Sequence, residues 1–245
     1  MEKISIPHYY LSIRGDTLFK CNLAGSSAES EVEFPLEAVF QNKQNQKIAL
    51  IDRDGVIVEK APRLQYLQRA EDMRLIPGIT EAIHYLNEKR VLVVLVTNQP
   101  GIYKSLFRKE DFYEMTSFMQ KSLEGEGNGE GKCKAKIDAV FFCPHMAPSE
   151  GDKISKDEEC LCRKPKPGML TAAMKLYCIK PENAVMFGDF ASDIGAAHHA
   201  GVTAAYIATK HDEFAVMQGK IQEEYPEVFE KRQYQHILDA VKALF

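Results

Sequence analysis

The sequence predicts an α/β protein, a parallel sheet flanked by helices, on three observations. From residue 47 onward short apolar runs alternate with segments of helical periodicity, the pattern of strands joined by helical crossovers. The runs show little polar alternation, as expected of strands buried on both faces. Three of them close on clusters of acids, amides and glycines, where open α/β sheets gather their ligands.

Strands are predicted over 47–52, 91–97 (Val-Leu-Val-Val-Leu-Val-Thr), 137–142 (Ile-Asp-Ala-Val-Phe-Phe), 184–188 and 203–208. Helices are predicted over 79–89, 109–123, 168–178, 192–200 and 233–244. The first helix follows Pro77-Gly78 and repeats apolar residues at Ile79, Ala82, Ile83 and Leu86, a helical spacing. Residues 1–46 differ in pattern and suit short edge strands or a docked arm, an N-terminal extension to a domain spanning 47–245. Gly125-Glu-Gly-Asn-Gly-Glu-Gly131 reads as a flexible linker by composition. Its spacing mimics a phosphate loop, but it follows a helix and carries acids.

The chain has 245 residues, 45% hydrophobic and 27% charged, values that allow a sizeable core. A net charge of -4 gives no broad basic field for nucleic acid. No apolar stretch approaches the ~20 residues of a membrane span, and the start lacks a leader's charged-then-apolar layout. A cytoplasmic location is expected, where thiols stay reduced and the six cysteines need a reading other than disulfides.

The first chemical cluster is Asp52-Arg-Asp54-Gly55, closing the first apolar run. Residues two apart on a strand share a face, so both carboxylates would emerge together at its end. Such close like charges are costly without a cation or a shared proton. An acidic turn is the bland alternative. Thr97-Asn98-Gln-Pro-Gly101 closes the next strand with donors suited to an anion, or with ordinary turn chemistry.

Cys143-Pro-His145 and Cys160-Leu-Cys162 are fourteen residues apart. Three thiols and an imidazole complete a tetrahedral set, the signature of structural Zn2+. The loop between them is too polar to pack a core, so a metal would hold it. Cys21, Cys133 and Cys178 read as ordinary free thiols. Arg163-Lys164-Pro-Lys-Pro-Gly168 is a rigid basic turn able to present cations to an anionic substrate. Gly188-Asp189-Phe190-Ala-Ser-Asp193 closes another strand. Asp189, with the first carboxylates and a main-chain carbonyl, makes a hard-oxygen site suited to Mg2+. Asp193 could instead serve the helix that follows.

In this order the clusters resemble the haloacid dehalogenase superfamily of aspartate-nucleophile phosphotransferases, over roughly residues 47–210. With the cysteine pairs and Arg163-Lys164-Pro165 they resemble its zinc-containing branch, the heptose 1,7-bisphosphate phosphatases and histidinol-phosphatase domains. The resemblance implies a Rossmann-like fold and a Mg2+-dependent phosphatase acting on a small sugar phosphate. Asp52 would be the nucleophile and Asp54 the acid/base. Asp52, the Asp54 carbonyl and Asp189 would hold Mg2+. Thr97 and Lys164 would bind phosphoryl oxygens with Asn98 nearby, and Arg163 would meet the rest of the substrate. Zn2+ would hold the 143–162 loop through Cys143, His145, Cys160 and Cys162. Val56, Phe190 and the segment 60–63 depart from the branch pattern and leave these residues intact.

No large insertion separates the first two strands, so no large cap domain is expected, and the site should be open. The alternatives are histidinol-phosphate hydrolysis, polynucleotide 3′-phosphatase activity, and a non-catalytic zinc-stabilised binding module. A monomer without nucleic-acid or membrane partners is expected.

Overall fold

The computed structural model describes residues 10–14, 17–21, 46–61, 66–125, 135–146, 160–208 and 214–245. Across them runs a sheet of β1 (Tyr10–Arg14), β2 (Thr17–Cys21), β3 (Ile48–Ile51), β4 (Leu92–Asn98), β5 (Ala139–Cys143), β6 (Ala184–Gly188), β7 (Thr203–Ile207) and β8 (Gln233–Tyr234). The helices are α1 (Ile79–Glu88), α2 (Pro100–Tyr103), α3 (Lys109–Leu123), α4 (Gly168–Leu176), α5 (Ala191–Ala200), α6 (Phe214–Glu224), α7 (Pro226–Lys231) and α8 (Ile237–Leu244). The sheet order is β2-β1-β5-β4-β3-β6-β7-β8. From β5 to β8 the pairs are parallel, whereas β1 runs antiparallel to both β5 and β2.

Alternation along the strands divides the interior in two. Ala49, Ile51, Val93, Leu95, Val140, Phe142 and Phe187 face one side, with α1, α3 and α8 packed over them. Ile48, Leu50, Val94, Val96, Phe141, Met186 and Tyr206 face the other, under α4 and α5. Burial on both faces explains why these strands read as continuous apolar runs rather than alternating ones.

The chain passes from β3 outward to β4 and β5, then returns to β6 on β3's other side. This reversal leaves a crevice beyond the carboxyl end of β3. The link from β3 to α1 contains a turn bridged from Asp54 to Val58, a second bridge from Val58 to Leu75, and a 3-10 turn at Ala70–Asp72.

The predicted helix over 233–244 is corrected. Gln233 and Tyr234 instead pair with Tyr206 and Ile207, and the helix begins at Ile237. Without β8 the edge of β7 would be unpaired, and Tyr206 N–H and Ala208 N–H donate to the carbonyls of Arg232 and Tyr234. Helices α2, α6 and α7 were not anticipated; α2 and α7 each start at a proline, whose missing N–H costs nothing there. The glycine-rich stretch 126–131 and the polar loop 147–159 lie outside the described residues. Among the described residues no helix is long and apolar enough to cross a membrane.

Phe142 is fully buried, its ring 4.5 Å from that of Phe112 on α3. Phe142→Ala is expected to destabilise the protein by about 3–5 kcal/mol, read from the midpoint of urea unfolding.

Candidate active site

The crevice collects its functional groups because three adjacent strands end there. Asp52 follows β3, Thr97 and Asn98 end β4, and Asp189 follows β6. The Asp52 N–H donates to the Phe187 carbonyl at 3.0 Å, which continues the ladder one residue past β3 and fixes the first carboxylate. The chain then turns at once, with the Arg53 carbonyl accepting from the N–H groups of Ile57 and Val58 at 2.9 and 3.0 Å. Gly55 sits at φ 94° in this turn, and a Cβ there would lie 2.2 Å from Asp189 Oδ2. The glycine is therefore required twice, by backbone and by space.

Oxygens of Asp52, Asp189 and Asp193 lie within 4.8 Å of one another, and all three residues are buried. Lys164 is inserted among them. Its Nζ is 2.8 Å from Asp52 Oδ1 and 2.6 Å from Asp193 Oδ1, and it donates to the Val96 carbonyl at 2.7 Å. Burial alone would lower the Lys164 pKa, but Asp193 and Asp52 outweigh it and hold the ammonium above its usual range. One lysine does not neutralise three carboxylates. Burial raises Asp52 to about 6 against the pull of Lys164, with Asp193 and Asp54 adding repulsion. Burial likewise raises Asp189 to about 8, against the ion pair it forms with Lys60 at 2.6 Å. The Lys60 Nζ also lies 3.7 Å from the centre of the Phe190 ring. Crowded hard oxygens with a deficit of positive charge fit a Mg2+-sized cation.

Asp54 is set apart, its side chain 30% exposed. Asn98 uses both ends of its amide on the main chain of Lys164: Nδ2 donates to the carbonyl at 3.0 Å, and Oδ1 accepts from the N–H at 3.1 Å. The residue thus fixes the lysine's backbone, and its amide is not directed to an anion. Thr97 is buried, with Oγ1 accepting from Gln99 Nε2 at 2.9 Å.

At the end of β5, Cys143 and His145 meet Cys160 and Cys162 in a second cluster whose ligand atoms also lie within 4.8 Å of one another. Burial pushes the Cys143 thiol up to about 12, while hydrogen bonds from Cys143 and Cys162 hold Cys160 low. Arg163 Nη1 donates to the His145 carbonyl at 3.0 Å, which ties the basic turn back to this cluster.

The structure thus brings Asp52, Asp189 and Lys164 into direct contact or close approach, and places Asp54 and Thr97 within one hydrogen-bond network beside them. Asp193 serves the start of its helix, where Oδ2 accepts from the Phe190 N–H at 3.0 Å, and its Oδ1 pairs with Lys164. Sequence reasoning passed over Arg53, Gln99 and Lys60. Arg53 and Gln99 were visible inside quoted motifs, but nothing in their spacing showed where their side chains turn. Lys60 stood in the segment 60–63 that departs from the branch pattern, with no role attached to it.

A family model described as HAD-hydrolase-like matches residues 161–231. The chain is 39% identical over 153 residues to D-glycero-beta-D-manno-heptose-1,7-bisphosphate 7-phosphatase of Vibrio cholerae, covering 62% of this chain and 75% of that one. It is 32% identical over 157 residues to the alpha-anomer 7-phosphatase of Campylobacter jejuni, covering 64% and 78%. Among solved structures it superposes on D,D-heptose 1,7-bisphosphate phosphatase from B. bronchiseptica, complexed with magnesium and phosphate. The TM-score is 0.67 at 26% identity, covering 81% of this chain and 98% of that one.

The raised carboxyls set the pH response of the metal-free protein. A carboxyl whose folded pKa exceeds its unfolded value of about 3.9 favours the fold most when protonated, and that advantage is lost as pH rises through the folded value. In EDTA the melting temperature should therefore fall between about pH 4 and about pH 8, with Asp52 losing its share near 6 and Asp189 near 8. Mg2+ at pH 8 should restore it, and a flat profile in differential scanning calorimetry would contradict the carboxylate crowding.

Proposed function

The chain belongs to the haloacid-dehalogenase-like hydrolases, and from that premise we propose a Mg2+-dependent phosphatase that removes one phosphate from a small sugar bisphosphate. Within that class we propose D-glycero-D-manno-heptose 1,7-bisphosphate, supported by relatives that carry this activity in their names. The observation that carries the reading is the buried Asp52 carboxylate at the switch point of the sheet. It is paired with Lys164, stands beside Asp189 and Asp193, and has a second, more exposed acid two residues on.

Asp52 attacks phosphorus and forms an aspartyl-phosphate, dividing one difficult displacement into two. Lys164 holds Asp52 ionised and oriented, and its charge also faces incoming phosphoryl oxygens. Thr97, at the end of the neighbouring strand, contributes a hydroxyl to the same oxygens. Asp54 gives its proton to the departing oxygen and then takes one from the attacking water. Asp52, the Asp54 main-chain carbonyl and Asp189 would hold Mg2+, which when bound supplies positive charge between the carboxylates and the phosphate.

We assign Cys143, His145, Cys160 and Cys162 to a structural Zn2+. Tetrahedral zinc with three sulfurs and one nitrogen has ligand–ligand edges of about 3.5 Å from nitrogen to sulfur and about 3.8 Å between sulfurs. The edges Cys143–His145, Cys162–His145 and Cys143–Cys160 are 3.4, 3.4 and 3.6 Å, and the two remaining close edges are 3.0 and 2.9 Å. The site holds Arg163 and Lys164 in place and performs no chemistry. Residues 47–245 make up the phosphatase domain, with 1–46 as an extension.

Phosphate release from both anomers of the bisphosphate should be abolished by Asp52→Asn, and by EDTA until Mg2+ is restored. Full activity of Asp52→Asn would exclude the aspartyl-phosphate route. Plasma emission spectroscopy should find about one zinc per chain after dialysis, and Cys160→Ser should lose it.

A further inference from the structure

Arg53 and Gln99 have no part in the mechanism above, yet they are 1% and 2% exposed beside an acid that reaches solvent. Burying a guanidinium is costly unless its charge is matched. Arg53 meets that cost through Asp54: its Nε lies 3.2 and 3.1 Å from the two carboxylate oxygens, and its Nη2 lies 3.0 Å from Oδ1. The guanidinium also packs 5.3 Å from the centre of the Phe112 ring. Its Nη1 is buried without a hydrogen-bond partner among the described residues, so the placement serves the carboxylate rather than the arginine's own satisfaction.

Gln99 completes the arrangement from β4's end. Its Oε1 accepts from Arg53 Nη2 at 3.2 Å, and its Nε2 donates to Asp54 Oδ2 and to Thr97 Oγ1, both at 2.9 Å. This amide has one sensible orientation. Flipped, it would set N–H against a guanidinium, which only donates, and oxygen against a carboxylate, which only accepts. The carboxyl of Asp54 is therefore held from two sides and linked through Gln99 to the hydroxyl proposed to bind phosphate.

We infer that Arg53 and Gln99 are positioning residues, which fix the Asp54 carboxyl toward the leaving-group oxygen and set its distance from the phosphoryl group held by Thr97. The inference rests on Asp54 being the acid/base. In the step concerned, a bond forms between the Asp52 carboxylate and phosphorus, the ester P–O bond breaks, and the Asp54 proton passes to the departing oxygen. In the next, water adds to phosphorus, its proton returns to Asp54, and the Asp52–phosphorus bond breaks. A mispointed carboxyl should slow the first step only for leaving groups that need a proton.

The test compares p-nitrophenyl phosphate, whose leaving group departs as a stable anion, with phenyl phosphate, whose leaving group is far more basic. Gln99→Met keeps the side-chain volume without the amide, and Arg53→Lys keeps the charge without the fork. In each, kcat/KM for phenyl phosphate should fall by about tenfold more than that for p-nitrophenyl phosphate. In an Asp54→Asn background, Gln99→Met should change both values by the same factor within about twofold, since its leaving-group bias passes through Asp54. Equal losses on the two esters in the single variants, or a leaving-group bias of Gln99→Met that persists without Asp54, would overturn the inference. If Asp54→Asn itself shows no leaving-group bias, the acid/base assignment fails first. Melting curves report folding, and collapse of both single variants would make the pair structural and reject the positioning role.

Discussion

Three buried carboxylates face two lysines, and the rest of the site is organised by that imbalance. Asp52, Asp189 and Asp193 arrive from two strand ends and one helix start, in a region where water cannot screen them. Coulomb repulsion at such spacing weakens only with a higher dielectric or with countercharge, and burial excludes the first. Lys164 supplies one positive charge between Asp52 and Asp193, and Lys60 reaches Asp189 from the loop after β3. The main-chain bonds from Asn98, the space left by Gly55 and the anchored basic turn all keep these charges in register. A site this short of positive charge is prepared for a divalent cation and a phosphate together.

Much of this was legible because parallel strands buried on both faces announce themselves as apolar runs, and because their ends must carry what the crevice presents. The five central strands fall within two residues of their predicted bounds for that reason. The carboxyl-terminal segment was misread because Gln233 and Tyr234 are held by the open edge of β7, a partner more than twenty residues away. Local pattern cannot register a hydrogen-bond deficit elsewhere in the chain.

The same distinction runs through the site. Asp52, Asp189 and Lys164 could be expected to meet because their residue types and order place them at neighbouring strand ends, and the structure brings them together with Asp54 beside them. Asn98 ends β4, and its two amide ends meet the Lys164 main chain; sequence shows an amide but not which groups its two ends meet. Gln99 and Arg53 escaped notice because their importance lies in side-chain direction. Arg53 turns back on its own neighbour, and Gln99 spans two elements at once.

The basic turn is fastened at both sides: Asn98 grips the Lys164 main chain, and Arg163 returns to the His145 carbonyl. The fourteen residues between His145 and Cys160 therefore close a circuit whose two ends are pinned before the chain reaches Lys164. Lengthening such a circuit is cheap, about 0.6 kcal/mol of closure entropy for each doubling. Insertions there need not shift the lysine that serves Asp52.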